Sequence, residues 1–292
     1  MGMLVMVSDI SKATGTLYIV TTPIGNLSDI TIRALDTLRM VSLIIAEDTR
    51  RTMKLLNAYE IRAKVESFNE HNQYDKSANI IEKLIAGNDI AYVSDAGTPG
   101  ISDPGFVLIN KAIVANVSIV PIPGVSAPIT AISVSGLPMN RFVFYGFLPT
   151  TKSEKVALLE SLKQKPESMI FFESPLRLLA TLKMFLEVFG NRRIVIAREM
   201  TKLHEEFLRG NINEIVEKLK LRETIKGEVT IVIDGASVES SDFSDEEINT
   251  IIINISEKGN NSLRDIVKEV TEITGVAKSR IYRLALLCKS KK

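Results

Sequence analysis

The chain has few of the residues that build metal and disulfide sites. Its 292 residues include one cysteine, Cys288, which rules out a disulfide framework or a Cys-rich zinc site and fits a reducing compartment. Two histidines, His71 and His204, are too few for a His-rich centre, so no metal is expected. An excess of one charge sign is also missing: 36 Lys and Arg face 35 Asp and Glu, a net charge of +1. That balance excludes a uniformly basic nucleic-acid binder. The longest uncharged stretch, between Lys111 and Arg141, is cut by Pro121, Gly124, Pro128, Gly136 and Pro138. It reads as buried strand, loop and helix rather than a membrane span. The apolar start Met1–Val7 has no preceding Lys or Arg and runs into Asp9, unlike a signal peptide. The expectation is a soluble, cytoplasmic protein with no membrane partner.

With 45% hydrophobic and 24% charged residues, the composition is that of a globular protein. At roughly 150 residues per domain the length predicts about two domains. From Thr16 onward, short β-branched runs alternate with helical stretches. Thr16–Thr21, Leu43–Ala46, Ile90–Ser94 and Val117–Pro121 are the predicted strands. One helix carries Ile30, Ala34, Leu38 and Val41 and starts at a Ser28 or Asp29 cap; another spans Phe106–Ala115, and PGVSA opens a third. This alternation predicts an α/β domain over 14–138, with a parallel sheet covered by helices on both faces and a pocket at the strands' C-terminal ends.

Beyond Gly136-Leu137-Pro138 the texture changes. Strands at Arg141–Tyr145, Met169–Phe172, Arg193–Ala197, Glu206–Leu208 and Glu228–Ile233 alternate in part with helices near Lys152–Gln164 and Leu176–Phe189. They predict a second α/β domain over 139–236, built on a mixed sheet. Ser237–Glu247 (SVESSDFSDEE) is acidic and Ser-rich and reads as a linker over 237–247. Residues 248–292 read as a small helical domain, with one helix through Leu263, Ile266, Val267 and Val270 and another through Ile281, Leu284, Ala285 and Leu287. Charge is unevenly spread: net −2 over 1–140, +3 over 141–236 and zero over 237–292, where Val276–Lys292 holds six Lys and Arg and no acid. The near-neutral total is an average that leaves room for local cationic patches.

Three Gly/Pro-rich loops follow strands of the first domain. TPIGN stands where a dinucleotide fold has its phosphate loop, and Glu47 lies 22 residues after Gly25, where a ribose-binding acid would sit. GxGxxG is absent, however, and Pro23-Ile24 obstructs the close backbone approach that a pyrophosphate needs. DAGTPGISDPG is more specific. Its glycines Gly97, Gly100 and Gly105 let backbone approach a ligand, Pro99 and Pro104 stiffen it, and Asp95 can accept from a ligand hydroxyl or amine. A tight turn in which Asp95 and Asp103 cap neighbouring amides accounts for one such loop. Three at the strand ends of one sheet point to a ligand site.

The motifs TPIGNLSDITIR, AEDTR, VSDAGTPGISDPG, PIPGVSA, FYGFLP, FFESPLR, AREMTK with EEFLRG, and KGEVTIVIDG occur in this order between Thr16 and Gly235. Together they resemble the tetrapyrrole methylase-like superfamily, and within it the branch that methylates small-subunit ribosomal RNA. VAKSRIYRLAL resembles, more loosely, that branch's small appended domain. The resemblance implies a tetrapyrrole methylase-like fold: two α/β domains with a cofactor cleft between them, plus a small helical C-terminal appendage. It implies transfer of a methyl group from S-adenosyl-L-methionine to the ribose 2′-hydroxyl of a cytidine in the decoding region of 16S rRNA, within the small ribosomal subunit, by a homodimer. Carried over by position, Pro23, Gly25, Asp95, Gly97, Thr98, Ser126 and Ala127 of the first domain would bind the cofactor. From the second domain, Phe147, Leu148, Glu173, Ser174, Met200, Thr201 and Gly227, with Glu228, would close over it. The chain departs from the motif at Leu176, where members often carry histidine.

Methyl transfer to a hydroxyl needs positioning, water exclusion and a base near the oxygen. Glu47, Asp48 and His71 are the catalytic candidates, with Glu173 and Glu199 also near strand ends. Each has a structural alternative: Glu47 and Asp48 can pair with Arg50 or Arg51, Glu199 with Arg198 or Lys202, and His71 can sit in a solvated loop. For RNA, Arg50, Arg51, Arg177, Arg198, Lys278, Arg280 and Arg283 are the candidate phosphate contacts; surface cations that only solvate the fold are the alternative. Three functions stay open: an rRNA methyltransferase, a small-molecule (tetrapyrrole-type) methylase of the same fold, and a non-catalytic RNA-binding protein that keeps the cofactor as a structural ligand.

Overall fold

The computed structural model describes residues 14–102, 104–236, 243–257, 262–274, 276 and 278–289. Met1–Val7, Asp103, residues 237–242 of the expected linker, and Lys291 and Lys292 lie outside the described residues. The first sheet is wholly parallel, in the order β3-β2-β4-β1-β5. Its strands are β1 (Thr16–Val20), β2 (Leu43–Ala46), β3 (Val65–Ser67), β4 (Ile90–Val93) and β5 (Ser118–Ile122), and its helices are α1 (Ile32–Met40), α2 (Thr49–Ala58), α3 (Gln73–Ile85), α4 (Phe106–Val114) and α5 (Ala127–Ser133). Successive strand residues point to opposite faces. Leu17, Ile19, Leu43, Ile45, Ile90 and Tyr92 therefore meet α3 and α4 on one side. Val20, Ile44, Ala46, Ala91 and Val93 meet α1 and α2 on the other.

The second sheet is mixed, in the order β6-β7-β10-β8-β9, with only β6 and β7 parallel. It comprises β6 (Phe142–Phe147), β7 (Ser168–Glu173), β8 (Arg193–Arg198), β9 (Glu206–Asn211) and β10 (Val229–Ile233), with α6 (Lys152–Leu162), α7 (Leu178–Phe189) and α8 (Ile212–Lys220). These three helices cover one face, where Phe171, Phe185, Ile196, Ile215 and Ile231 form the core. The other face is closed by the first domain. Ala131 and Ile132 of α5, together with Leu137 and Ile24, are buried against Ile170, Val195, Ala197 and Val232.

The structure revises several expectations. Ser28 and Asp29 do not cap α1; they lie in a short 3-10 turn, and Thr31 caps the helix by accepting from the Ala34 N–H at 3.1 Å. Helices α2, α3 and α8 and strand β3 add to the predicted elements. The Asp245-Glu246-Glu247 end of the acidic segment is the first turn of α9 (Asp245–Glu257), which Ser244 caps by accepting from the Glu247 N–H at 3.2 Å. Acidic residues are favoured there by the helix dipole. With α10 (Leu263–Thr274) and α11 (Lys278–Lys289), α9 forms a three-helix unit around Ile252, Val270 and Ile281. Among the described residues no helix is long and apolar enough to cross a membrane.

Two predictions follow from this packing. Ile132→Ala opens a hole where α5 meets the second sheet and should lower the unfolding free energy by about 3 kcal/mol in denaturant melts. On β9, hydrogen bonds from Arg222, and then Arg198, hold the Glu206 carboxyl at about 2 against the opposing pull of burial. Because the folded value lies below the ordinary one, this stabilisation is complete above about pH 4.5 and is lost as pH falls through about 2. Glu206→Gln should therefore lower the melting temperature at neutral pH, through a loss on the order of 2–3 kcal/mol. The gap to wild type should close between pH 4.5 and 2.

Candidate active site

The loops at the C-terminal ends of β1 and β4 face the second sheet across a cleft. There, Thr22 and Gly97 exchange backbone hydrogen bonds of 2.9 and 3.0 Å, so the TPIGN and DAGTP loops are set as one piece. The cleft holds two adjoining cavities. The larger, about 460 Å³, is lined from the first domain by Asp95, Gly97, Thr98, Ser126 and Ala127, and from the second by Phe147, Glu173, Ser174, Met200 and Gly227. Ten of the expected cofactor residues are thus brought together. The smaller cavity, about 390 Å³, is lined by Pro23 and Gly25 with Arg51, Lys54 and Lys202. Ile24, Arg51, Asp95, Ala96 and Glu228 line both.

Leu148 is a correction. It is 4% exposed and belongs to the second domain's core. The β6/β7 register shifts between Phe144 and Gly146, where Gly146 takes φ +68°. A side chain at Gly146 would be in that strained region and would press on Ser102 of the facing loop, 3.1 Å from its Oγ. The bulge sends Phe147 to the cavity and Leu148 into the core.

Thr201 is a second correction. It lines neither cavity. Its Oγ1 accepts from the Asn26 N–H at 3.0 Å and ties the two domains' loops together. The approach is so close that a Cβ on Gly25 would lie 2.5 Å from Lys202 Cγ and 2.7 Å from Thr201 Oγ1. Glycine at 25 thus serves this clasp. Glu199 and Thr201 both adopt left-handed backbone, with φ of 51° and 65°, a strained geometry that the surrounding bonds hold in place. Glu199 Oε1 accepts from Lys202 Nζ and from the Glu228 N–H, each at 2.9 Å. The Lys202 bond, and then the Glu228 N–H, lower the Glu199 pKa. Burial alone would depress Lys202, but its bonds to Glu199 and Glu228 outweigh it and the net shift is upward.

The carboxylate candidates separate clearly. Glu173 has a fully buried side chain that accepts from the Ser174 N–H (2.7 Å), Arg177 Nε (2.8 Å) and Thr181 Oγ1 (2.6 Å). These bonds shape the ESP turn and engage both of its oxygens within the protein. Asp48 caps α2, accepting from the Arg50 N–H at 2.8 Å, and its own N–H donates to Asp95 Oδ1 at 3.0 Å. Arg51 pairs with Asp95 Oδ2 at 3.4 Å. Glu47, Asp48 and His71 line neither cavity, and His71 is exposed in the turn before α3.

Three of the expected RNA contacts have carboxylate partners within the protein. Arg177 is bound to Glu173. Arg198 spends its guanidinium on Glu206 Oε2 (3.0 Å) and the carbonyls of Lys226 (3.1 Å) and His204 (3.3 Å). Arg280 pairs with Asp245. Arg50 is exposed on the first turn of α2, Arg51 is 60% exposed at the cavity mouth, and Lys278 and Arg283 are exposed on α11. Leu176, in the family's histidine position, is 91% exposed beside Pro175 of the larger cavity. The residues that sequence reasoning missed are Lys54, Lys202 and Ile24. Lys54 had a signal, standing three residues after Arg51 on one helical face; the other two are set by contacts between domains.

The profile of the tetrapyrrole (corrin/porphyrin) methylases matches residues 16–216. "Ribosomal RNA small subunit methyltransferase I" of Halalkalibacterium halodurans is 43% identical over 274 residues, covering 92% of this chain and 94% of that protein. The protein of the same name from Thermotoga maritima is 50% identical over 221 residues, covering 76% of this chain and 99% of its own length. Among solved structures, the methyltransferase CobJ superposes with a TM-score of 0.60 at 15% identity, over 77% of this chain and 95% of that one. The uroporphyrin-III C-methyl transferase of Thermus thermophilus, complexed with S-adenosyl homocysteine, gives 0.53 at 14% identity, over 75% and 97%. The two-domain architecture, the shared cleft and these matches together make the chain a methyltransferase that belongs to the tetrapyrrole (corrin/porphyrin) methylase family.

Proposed function

We propose that the chain methylates the ribose 2′-hydroxyl of a cytidine in the decoding region of 16S rRNA, with S-adenosyl-L-methionine as donor. The observation that carries this reading is the pair of cavities meeting at one wall, because a transfer needs donor and acceptor side by side. The larger cavity fits the donor. Its apolar walls, Ile24, Ile101, Phe147 and Met200, suit an adenine ring. Backbone of the Ala96–Thr98 loop and of Ser126-Ala127 offers hydrogen-bonding edges, and Asp95 supplies negative charge for a sulfonium or an ammonium group. When bound, the cofactor supplies an electrophilic methyl group.

The smaller cavity takes the acceptor nucleotide. Arg51 and Lys54 on α2 and Lys202 opposite them line it, as a phosphate-bearing substrate requires. Arg50 extends the cationic edge outward. Names of relatives 43–50% identical to this chain support ribosomal RNA over a tetrapyrrole as substrate. The homodimer implied by the motif resemblance, the binding of the small ribosomal subunit, with Lys278 and Arg283 as outer contacts, and a cytoplasmic location belong to the same proposal.

Incubation with labelled S-adenosyl-L-methionine and under-methylated small ribosomal subunits should place label on a single cytidine 2′-oxygen. Label on a porphyrinoid alone, or none on RNA, overturns the reading. Asp95 is fixed by Asp48 and Arg51 at the donor's polar end, so Asp95→Ala should weaken cofactor affinity about tenfold or more by calorimetry. Unchanged affinity in the folded variant would remove Asp95 from the cofactor site.

A further inference from the structure

Asp95 and Glu228 are the two carboxylates that line both cavities, and they differ in how far their charge is already used. Asp95 is engaged at both oxygens, by the Asp48 N–H and by Arg51. Glu228 meets Lys202 Nζ with Oε2 at 3.1 Å, and its Oε1 has no hydrogen bond or ion pair among the described residues. The side chain is 64% exposed to the cleft's solvent, yet the backbone beneath it is fixed. Its N–H donates to Glu199 Oε1 at 2.9 Å, and its carbonyl accepts from the Glu199 N–H at 2.9 Å. Glu228 thus presents an uncommitted carboxylate oxygen on rigid backbone at the wall between the cavities. An acceptor hydroxyl must reach that wall, and an alcohol is a poor nucleophile without a base.

Resting on the transfer reading above, we propose that Glu228 is the catalytic residue that takes the proton of the acceptor hydroxyl, with Lys202 as its positioning residue. As the hydroxyl oxygen bonds to the methyl carbon, the carbon–sulfur bond breaks and its electron pair stays on sulfur. The hydroxyl proton passes to Glu228 Oε1 and then to solvent. No further reactant is needed. Lys202 holds Oε2 and leaves Oε1 for the substrate. The other acids are placed elsewhere: Glu47, Asp48 and Glu199 line neither cavity, and both oxygens of Glu173 are hydrogen-bonded within the protein.

The test uses the full chain, labelled S-adenosyl-L-methionine and under-methylated small subunits. Glu228→Gln keeps the shape and an oxygen for Lys202 but cannot take a proton at neutral pH. Turnover at saturating subunit should fall roughly a hundredfold or more, with cofactor affinity by calorimetry and subunit affinity by filter binding within twofold of wild type. A wild-type rate in Glu228→Gln overturns the proposal, as does a cofactor affinity that falls in step with turnover. Glu228→Asp, matched to wild type in thermal unfolding, gives a second variant: it should regain part of the rate, and a rate no better than the Gln variant counts against a proton acceptor. Lys202→Met tests the positioning role. Turnover at saturating subunit and cofactor should fall in Lys202→Met and be largely kept in Lys202→Arg, which can still hold Glu228 Oε2. Wild-type turnover in Lys202→Met, or no rescue by Lys202→Arg, overturns that role. If wild type itself fails to label RNA, the substrate reading fails, a result distinct from an active Glu228→Gln enzyme.

Discussion

The second sheet is covered by its own helices on only one face, and the rest of the architecture depends on how the other face is closed. Ala131 and Ile132 of α5 and Ile24 of the first loop are buried against Ile170, Val195, Ala197 and Val232. Burying that much apolar side chain is worth several kcal/mol, at roughly 25 cal/mol per Å², and it fixes the two sheets relative to each other. The same docking puts the N-terminal end of α5, the β4 loop and the ends of β7 and β10 around one space. The larger cavity is thus a by-product of core packing, and Ile24 belongs to both the core and the cavity wall.

Finer positioning is polar. The Thr22–Gly97 pairing joins the two first-domain loops, and the Asn26–Thr201 bond with the close pass of Gly25 joins them to the second domain. Glu199 then links this clasp to Glu228 and Lys202. A strained left-handed turn at Glu199 and Thr201 is affordable because four backbone or side-chain bonds around it are made simultaneously. Charge at the cavity wall is therefore set by loop geometry that both domains must agree on.

This division explains what the sequence made legible. Strands such as Leu43–Ala46 and Ile90–Val93 are readable because burial on both faces demands continuous apolar runs. The three-residue β3 carries too little pattern to read. The α8 helix did carry one, Ile212, Ile215, Val216 and Leu219 at helical spacing behind an Asn211 capping box. Asp48 reads equally well as a catalytic acid or a cap, and only the geometry selects the cap. The loop motifs located the cleft. They could not say that Thr201 faces Asn26, that Leu148 turns into the core, or that Arg198 is taken by Glu206, since those partners lie 8 to 175 residues away.

The near-neutral net charge takes on a physical meaning from the same contacts. Arg177, Arg198 and Arg280 are each bound to a carboxylate that the fold has placed beside them, so they add little field for a distant polyanion. Opposite charges that close cancel beyond a Debye length of about 8 Å at physiological salt. Arg50 and Lys54 on α2 and Lys278 and Arg283 on α11 are among the cations that carry no ion pair among the described residues, and Arg51 is only loosely paired at 3.4 Å. A protein with balanced total charge can therefore still present a local cationic edge, with Arg51 and Lys54, at one cleft. On the proposed function, such local recognition suits an enzyme that finds one nucleotide within a folded RNA, because contacts spread over the whole surface would favour every segment equally.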